Sequence, residues 1–142
     1  MFTRRSAVAA ALSSALLPVV AGAQAETGDQ AGALRMLIEL VIQDGNVSLL
    51  PDIVAEDARL PDFDVQGLES FTAISEANHL QRQADFATYE FRIEAVTEVE
   101  RWALAYVRFI AETVDRETVD LPGFYAAHFN AAGLIDEVYI GQ

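Results

Sequence analysis

The chain has 142 residues, with 22 acidic against 9 basic side chains and a formal net charge of −13. It holds no cysteine, and every basic residue is an arginine, which excludes disulfides, thiol nucleophiles, thiolate metal sites and lysine Schiff bases. At 52% hydrophobic it suits one domain with a real core, and the lack of a basic cluster argues against nucleic acid as a partner.

The chain opens with Met1-Phe2-Thr3-Arg4-Arg5-Ser6, followed by an apolar run from Ala7 to about Val20 and then Ala23-Gln24-Ala25. A charged start, a short apolar stretch and a small-x-small ending predict a cleavable export signal over residues 1–25, of twin-arginine or general-secretion type. The run is too short and too rich in alanine to span a hydrocarbon layer of ~30 Å. Cleavage after Ala25 would leave residues 26–142 as one soluble domain in the periplasm or outside the cell. Its acidity would keep it off anionic lipid, so no membrane is expected as a partner of the mature form.

Within residues 26–142, Leu34, Leu37, Ile38, Val41 and Ile42 recur at helical spacing, and Gly45 stands where a C-terminal cap belongs. A short helix is expected over residues 48–56, with Pro51 tolerated in its first turn. Residues 57–65, punctuated by Pro61 and aspartates, read as an extended piece with a turn. A third helix starts after Gly67, carries Leu68, Phe71, Ile74 and Ser75 on one stripe, and fades near Asp85.

From Phe86 the period becomes two. Ala87, Tyr89, Phe91, Ile93 and Ala95 alternate with Thr88, Glu90, Arg92 and Glu94, which predicts a half-buried strand. Residues 102–111 are apolar on both faces apart from Arg108, the pattern of a central strand covered on both sides. A third strand over residues 119–130 is expected to bend at Pro122-Gly123, and Ala131-Ala132-Gly133 turns into a last strand over residues 134–140. Three helices followed by an antiparallel meander make an α+β fold, with the helices packed on one face of a curved sheet.

This order resembles the nuclear transport factor 2-like superfamily, and within it the SnoaL-like polyketide cyclases. The residues that carry the likeness are Asp44-Gly45-Asn46, Val54-Ala55-Glu56-Asp57-Ala58, Gly67-Leu68-Glu69-Ser70-Phe71, Val107-Arg108-Phe109 and the stretch from Phe129 to Glu137. The resemblance implies a cone, also described as cystatin-like: a curved antiparallel sheet wrapped over three N-terminal helices around a deep apolar pocket. It covers about Leu34 to the end and implies cyclase, isomerase or dehydratase chemistry, or binding without catalysis. Two family features are missing. The aspartate that SnoaL-like cyclases place on the last strand has no equivalent after Glu137-Val138-Tyr139, and the first helix carries no tyrosine to match the isomerases' phenol.

Six residues are candidates for a site, each with a plainer alternative. His128 shares its strand face with Phe124 and Ala126; facing the cone it would suit a general acid or base, and otherwise it is a histidine satisfied by the backbone. Asp62, in the turn-rich loop that places the isomerases' base, could abstract a proton beside a carbonyl, or simply form the turn. Arg108 could grip a carboxylate or enolate oxygen, or pair with Glu137 or Asp136. Tyr106, on the same face as Arg108 and Trp102, could donate to a substrate oxygen, or belong to an aromatic strip that is plain core. Asn78, near the centre of the third helix's stripe, is expected to point into the pocket.

No metal-ligand spacing, glycine-rich phosphate loop or Gly-x-Ser-x-Gly elbow occurs, so no metal or cofactor is expected. The sequence reading is an exported pocket protein for a small apolar carbonyl compound, with Asp62 and His128 as acid–base candidates and Tyr106, Arg108, Asn78 and Trp102 as ligand contacts. Its alternative is a non-catalytic binding or accessory module. The doubly apolar strand predicts a homodimer through the outer sheet face.

Overall fold

The computed structural model describes Ala23–Ala25 and residues 28–141. Most of the expected export segment therefore lies outside the described residues; Ala23–Ala25 form a short strand, β1.

Helix α1 (Asp29–Met36) runs on without a break into a π-helical segment, Leu37–Gln43. Its apolar face, Ala31, Leu34, Leu37, Ile38 and Val41, is at most 2% exposed. The backbone N–H of Ala31, one of the donors a helix start leaves unsatisfied, donates to the Glu98 carboxylate at 2.7 Å. Gly45 ends the run with a φ of +77°, its N–H bonded to the Val41 carbonyl at 2.9 Å, as the sequence predicted.

The second helix is shorter than expected. A 3₁₀ turn (Val47–Leu49) leads into α2 (Leu50–Ile53), and Val54 is already extended. Residues 54–60 make strand β2 (Val54–Leu60): residues 57–60 are extended as expected, but 54–56 are strand instead of the end of the helix. Val54, Ala55, Ala58 and Leu60 are buried, and the burial of these side chains favours a ladder here over another helical turn. After the turn at Pro61–Phe63 and a left-handed Asp64, strand β3 (Val65–Gln66) folds back on β2.

Helix α3 (Leu68–Asp85) starts and stops as its periodicity predicts. Strands β4 (Phe86–Val99), β5 (Trp102–Thr113), β6 (Thr118–Phe129) and β7 (Ile135–Gly141) follow. The sheet order is β1-β4-β5-β6-β7-β2-β3, antiparallel throughout except where β2 runs parallel to β7. The fold is α+β, with three helices against one face of a curved sheet.

Two consequences of register position everything below. First, β5 and β6 pair without interruption, so Ala103, Ala105 and Val107 share the helix-facing side with Tyr125, Ala127 and Phe129. Trp102, Tyr106, Arg108 and His128 are therefore on the opposite, outer side. Second, a bulge between Ile93 and Ala95 shifts β4 by one residue. Beyond it Val96, not Ala95, faces the core and is 4% exposed, a change of side that simple alternation cannot anticipate.

Candidate functional site

The sheet has a cavity on each side. The inner one, a cone pocket of about 160 Å³, is enclosed between α3, the π-helical segment and strands β6 and β7. Its wall is mostly apolar, with Leu37, Phe71, Val138 and Ile140 among the lining residues. Four polar side chains reach it: Ser75, Asn78, Arg82 and Tyr125.

Helical geometry delivers three of these four. Phe71, Ser75, Asn78 and Arg82 recur at steps of three and four, so one face of α3 presents them in a row. Arg82 is held in place on two sides. Its Nη2 donates to the carbonyl of Ile42 at 2.7 Å, and its guanidinium lies 5.1 Å from the centre of the Phe91 ring and 6.0 Å from that of Tyr89. Its Nε is buried with no hydrogen-bond partner among the described residues.

Tyr125, 7% exposed, comes from β6. Burial pushes its phenol up to about 12, against a smaller opposing pull from the Arg82 charge. The hydroxyl therefore keeps its proton at neutral pH and remains a donor. Sequence reasoning singled out neither residue, although both were in phase: Arg82 continues the α3 stripe one turn past Asn78, and Tyr125 shares parity with Ala127 and Phe129.

Asn78 lines the cone as expected, while remaining solvent-exposed. Asp62 sits beside it. Its neighbour Phe63, in the same turn, lines the pocket together with Ile140, and its Oδ2 accepts the backbone N–H of Ile140 at 3.0 Å. The carboxylate thus continues the β7 edge where β2 leaves off.

The other four candidates lie across the sheet, away from the cone. His128 faces outward; its Nδ1 is 2.7 Å from Asp136 Oδ1, and the Trp102 indole meets its ring edge-on at 4.9 Å between centroids. Beside them Arg59 pairs with Glu137. These side chains, with Asp57 and Gln66, border an open cleft of about 410 Å³. Tyr106 is 61% exposed on the same face.

Arg108 pairs with neither Glu137 nor Asp136, because register sets Glu137 level with His128 and Trp102, six residues along β5 from Arg108, where Arg59 and His128 engage those carboxylates. Its Nε donates instead to Asp120 at 2.7 Å, the diagonal neighbour on β6, since Arg108 itself stands opposite Pro122. The hydrogen bond and charge of Asp120 raise the guanidinium's pKa further above its ordinary value. Among the described residues no three His, Asp or Glu side chains gather as a metal site, and no helix is long and apolar enough to cross a membrane.

No sequence-family model and no curated protein matches the chain. Solved structures do. A proposed SnoaL-like polyketide cyclase from Jannaschia sp. superposes with a TM-score of 0.64 at 17% identity, over 78% of this chain and 83% of that one. A proposed isomerase of the SnoaL-like family from Agrobacterium tumefaciens gives 0.57 at 21% identity, over 78% and 92%. A nuclear transport factor 2-like protein of unknown function from Burkholderia pseudomallei gives 0.60 at 10% identity, over 80% and 90%. At such identities the likeness is one of fold: the chain has the α+β cone architecture of SnoaL-like and nuclear transport factor 2-like proteins.

Proposed function

We propose that the protein is an exported, SnoaL-like small-molecule pocket protein whose cone binds a small, mainly apolar carbonyl compound. The observation that carries this reading is the inner cavity itself, an apolar chamber with a few convergent polar groups, the usual make-up of a ligand site. The location follows from the signal-like first 25 residues, so the working compartment is the periplasm or the exterior. A homodimer through the outer face suits the same reading, because Tyr106 and Phe124 are exposed there at 61% and 39%.

Native mass spectrometry of gently purified protein tests the binding. The expected result is a co-purifying small molecule, lost when Ile74→Trp fills the cavity. Protein that is always empty, and that shows no thermal shift with small apolar carbonyl compounds, would overturn the reading.

A second reading adds turnover, as acid–base isomerisation, cyclisation or dehydration. It is favoured by the position of Asp62 at the cavity mouth, since neither a carboxylate nor an imidazole lines the interior. Asp62 would be the base, whereas His128 lies across the sheet from the cone. Asp62→Asn keeps an oxygen for Ile140 and should retain binding while abolishing conversion of the ligand. Unchanged conversion would remove Asp62 from the chemistry.

A further inference from the structure

We infer that the cone selects ligands bearing a carboxylate, received by the Arg82 guanidinium and the Tyr125 hydroxyl. This deepens the pocket reading and rests on it.

The chain's own charge pattern makes Arg82 unusual. Acids outnumber arginines by 22 to 9, and Arg35, Arg59, Arg92, Arg108 and Arg116 each pair with a carboxylate. Arg101 is exposed to solvent. Arg82 has a buried Nε without a partner, and no ion pair among the described residues involves it. A cation withdrawn from water is stable only if something compensates it. Arg82 is half-buried; a backbone carbonyl and two aromatic rings compensate it in part, and its Nε–H is unmet among the described residues.

Tyr125 points to the same ligand chemistry. Its hydroxyl has no hydrogen-bond partner among the described residues. A guanidinium and a protonated phenol both offer N–H or O–H donors in the wall of one cavity, and no lining residue carries negative charge. Such donors around a net positive charge suit an acceptor-only anion. Among small carbonyl compounds, one that also bears a carboxylate compensates this charge, whereas a neutral one leaves it uncompensated and an amine meets like charge. The volume of about 160 Å³ is near that of a cavity known to hold one benzene ring, roughly 150 Å³, so a single ring or short branched chain with one carboxylate is the fitting class.

Calorimetric titration of the protein with sodium benzoate, its neutral isostere benzamide, and toluene tests the inference. Benzoate is expected to bind about tenfold or more tightly than benzamide, the scale of a charge-assisted pair. Tyr125→Phe, which preserves the packing, should weaken benzoate by about three- to tenfold and leave toluene unchanged. Arg82→Gln should erase the preference for benzoate, with circular dichroism confirming the fold.

Equal binding of benzoate and benzamide would overturn the inference while leaving the pocket reading intact, as would a preference that survives in Tyr125→Phe at full strength. If toluene also fails to bind, and Ile74→Trp changes nothing, the pocket reading falls and takes the inference with it. Should Arg82→Gln fail to fold, the benzoate-to-benzamide ratio and the Tyr125→Phe variant still decide.

Discussion

Two cavities lie back to back on one sheet, and the larger is the less promising. The outer cleft, about 410 Å³, is open to water, and its cations are already engaged: Arg59 with Glu137, and His128, when charged, with Asp136. The cone is less than half that size, yet among the described residues its arginine has a buried Nε without a partner and its tyrosine hydroxyl has none. Water screens and replaces contacts in the cleft, whereas an unmet donor in an apolar wall stays unmet until a ligand arrives. The difference teaches that unsatisfied polarity in a mostly apolar wall is a better guide to recognition than volume or a familiar pairing of residue types.

The contrast can be broken most forcefully on the inner side. Phe71→Ala removes a side chain that is 2% exposed and lines the cone, and should destabilise the protein by about 3–5 kcal/mol, read as a lower urea midpoint. A loss below about 1 kcal/mol would mean the inner wall is not packed as described.

The next effect sharpens the inner side by pH. Burial raises the Tyr125 phenol to about 12, so the folded state holds this proton more tightly than the unfolded chain does. The stabilisation is complete below the ordinary tyrosine value of about 10, and is lost as pH climbs from there toward the folded value. Two units correspond to on the order of 2–3 kcal/mol. Denaturant titrations at pH 9 and pH 11.5 should show this fall, and Tyr125→Phe should flatten it.

The outer side should respond weakly. His128→Ala breaks a half-exposed pair and is expected to shift stability by less than about 1 kcal/mol, without altering ligand binding in the cone. If cone binding is lost with it, the two sides are not independent. Smallest of all is Asp120→Asn, which removes the exposed partner of Arg108 and should leave the urea midpoint unmoved at physiological salt.

Much of this architecture could be read from the residues. The α3 stripe gave both ends of the helix, and the four long strands announced themselves by alternation and by turn residues such as Gly133. Strand β2 did not, because Glu56, Asp57 and Arg59 interrupt its apolar pattern and its partner β7 is remote in sequence. Nor could the bulge at Glu94, since one inserted residue leaves the alternation intact on either side of it. The site was the hardest part. Both parities of β6 carry an aromatic, Phe124 on one and Tyr125 on the other, so pattern alone did not say which faced the helices. A usable clue lay on β5: Ala103, Ala105, Val107, Phe109 and Ala111 form an unbroken apolar row, which marks the inner side and places Arg108, Tyr106 and Trp102 outside. Arg82 was passed over because charge on a helix usually signals solvent, and only the packing shows that it lines the pocket.

The parallel contact between β2 and β7 has a consequence for how the molecule comes into being. The strand that comes last in order is slotted between β6 and β2, and it supplies Val138 and Ile140 to the chamber. During synthesis, helices and earlier strands emerge while two ladder edges await that insertion, and contacts so distant along the chain form slowly. The chamber thus closes only once β7 is in place, and until then the nascent protein presents sticky edges that a chaperone would have reason to guard.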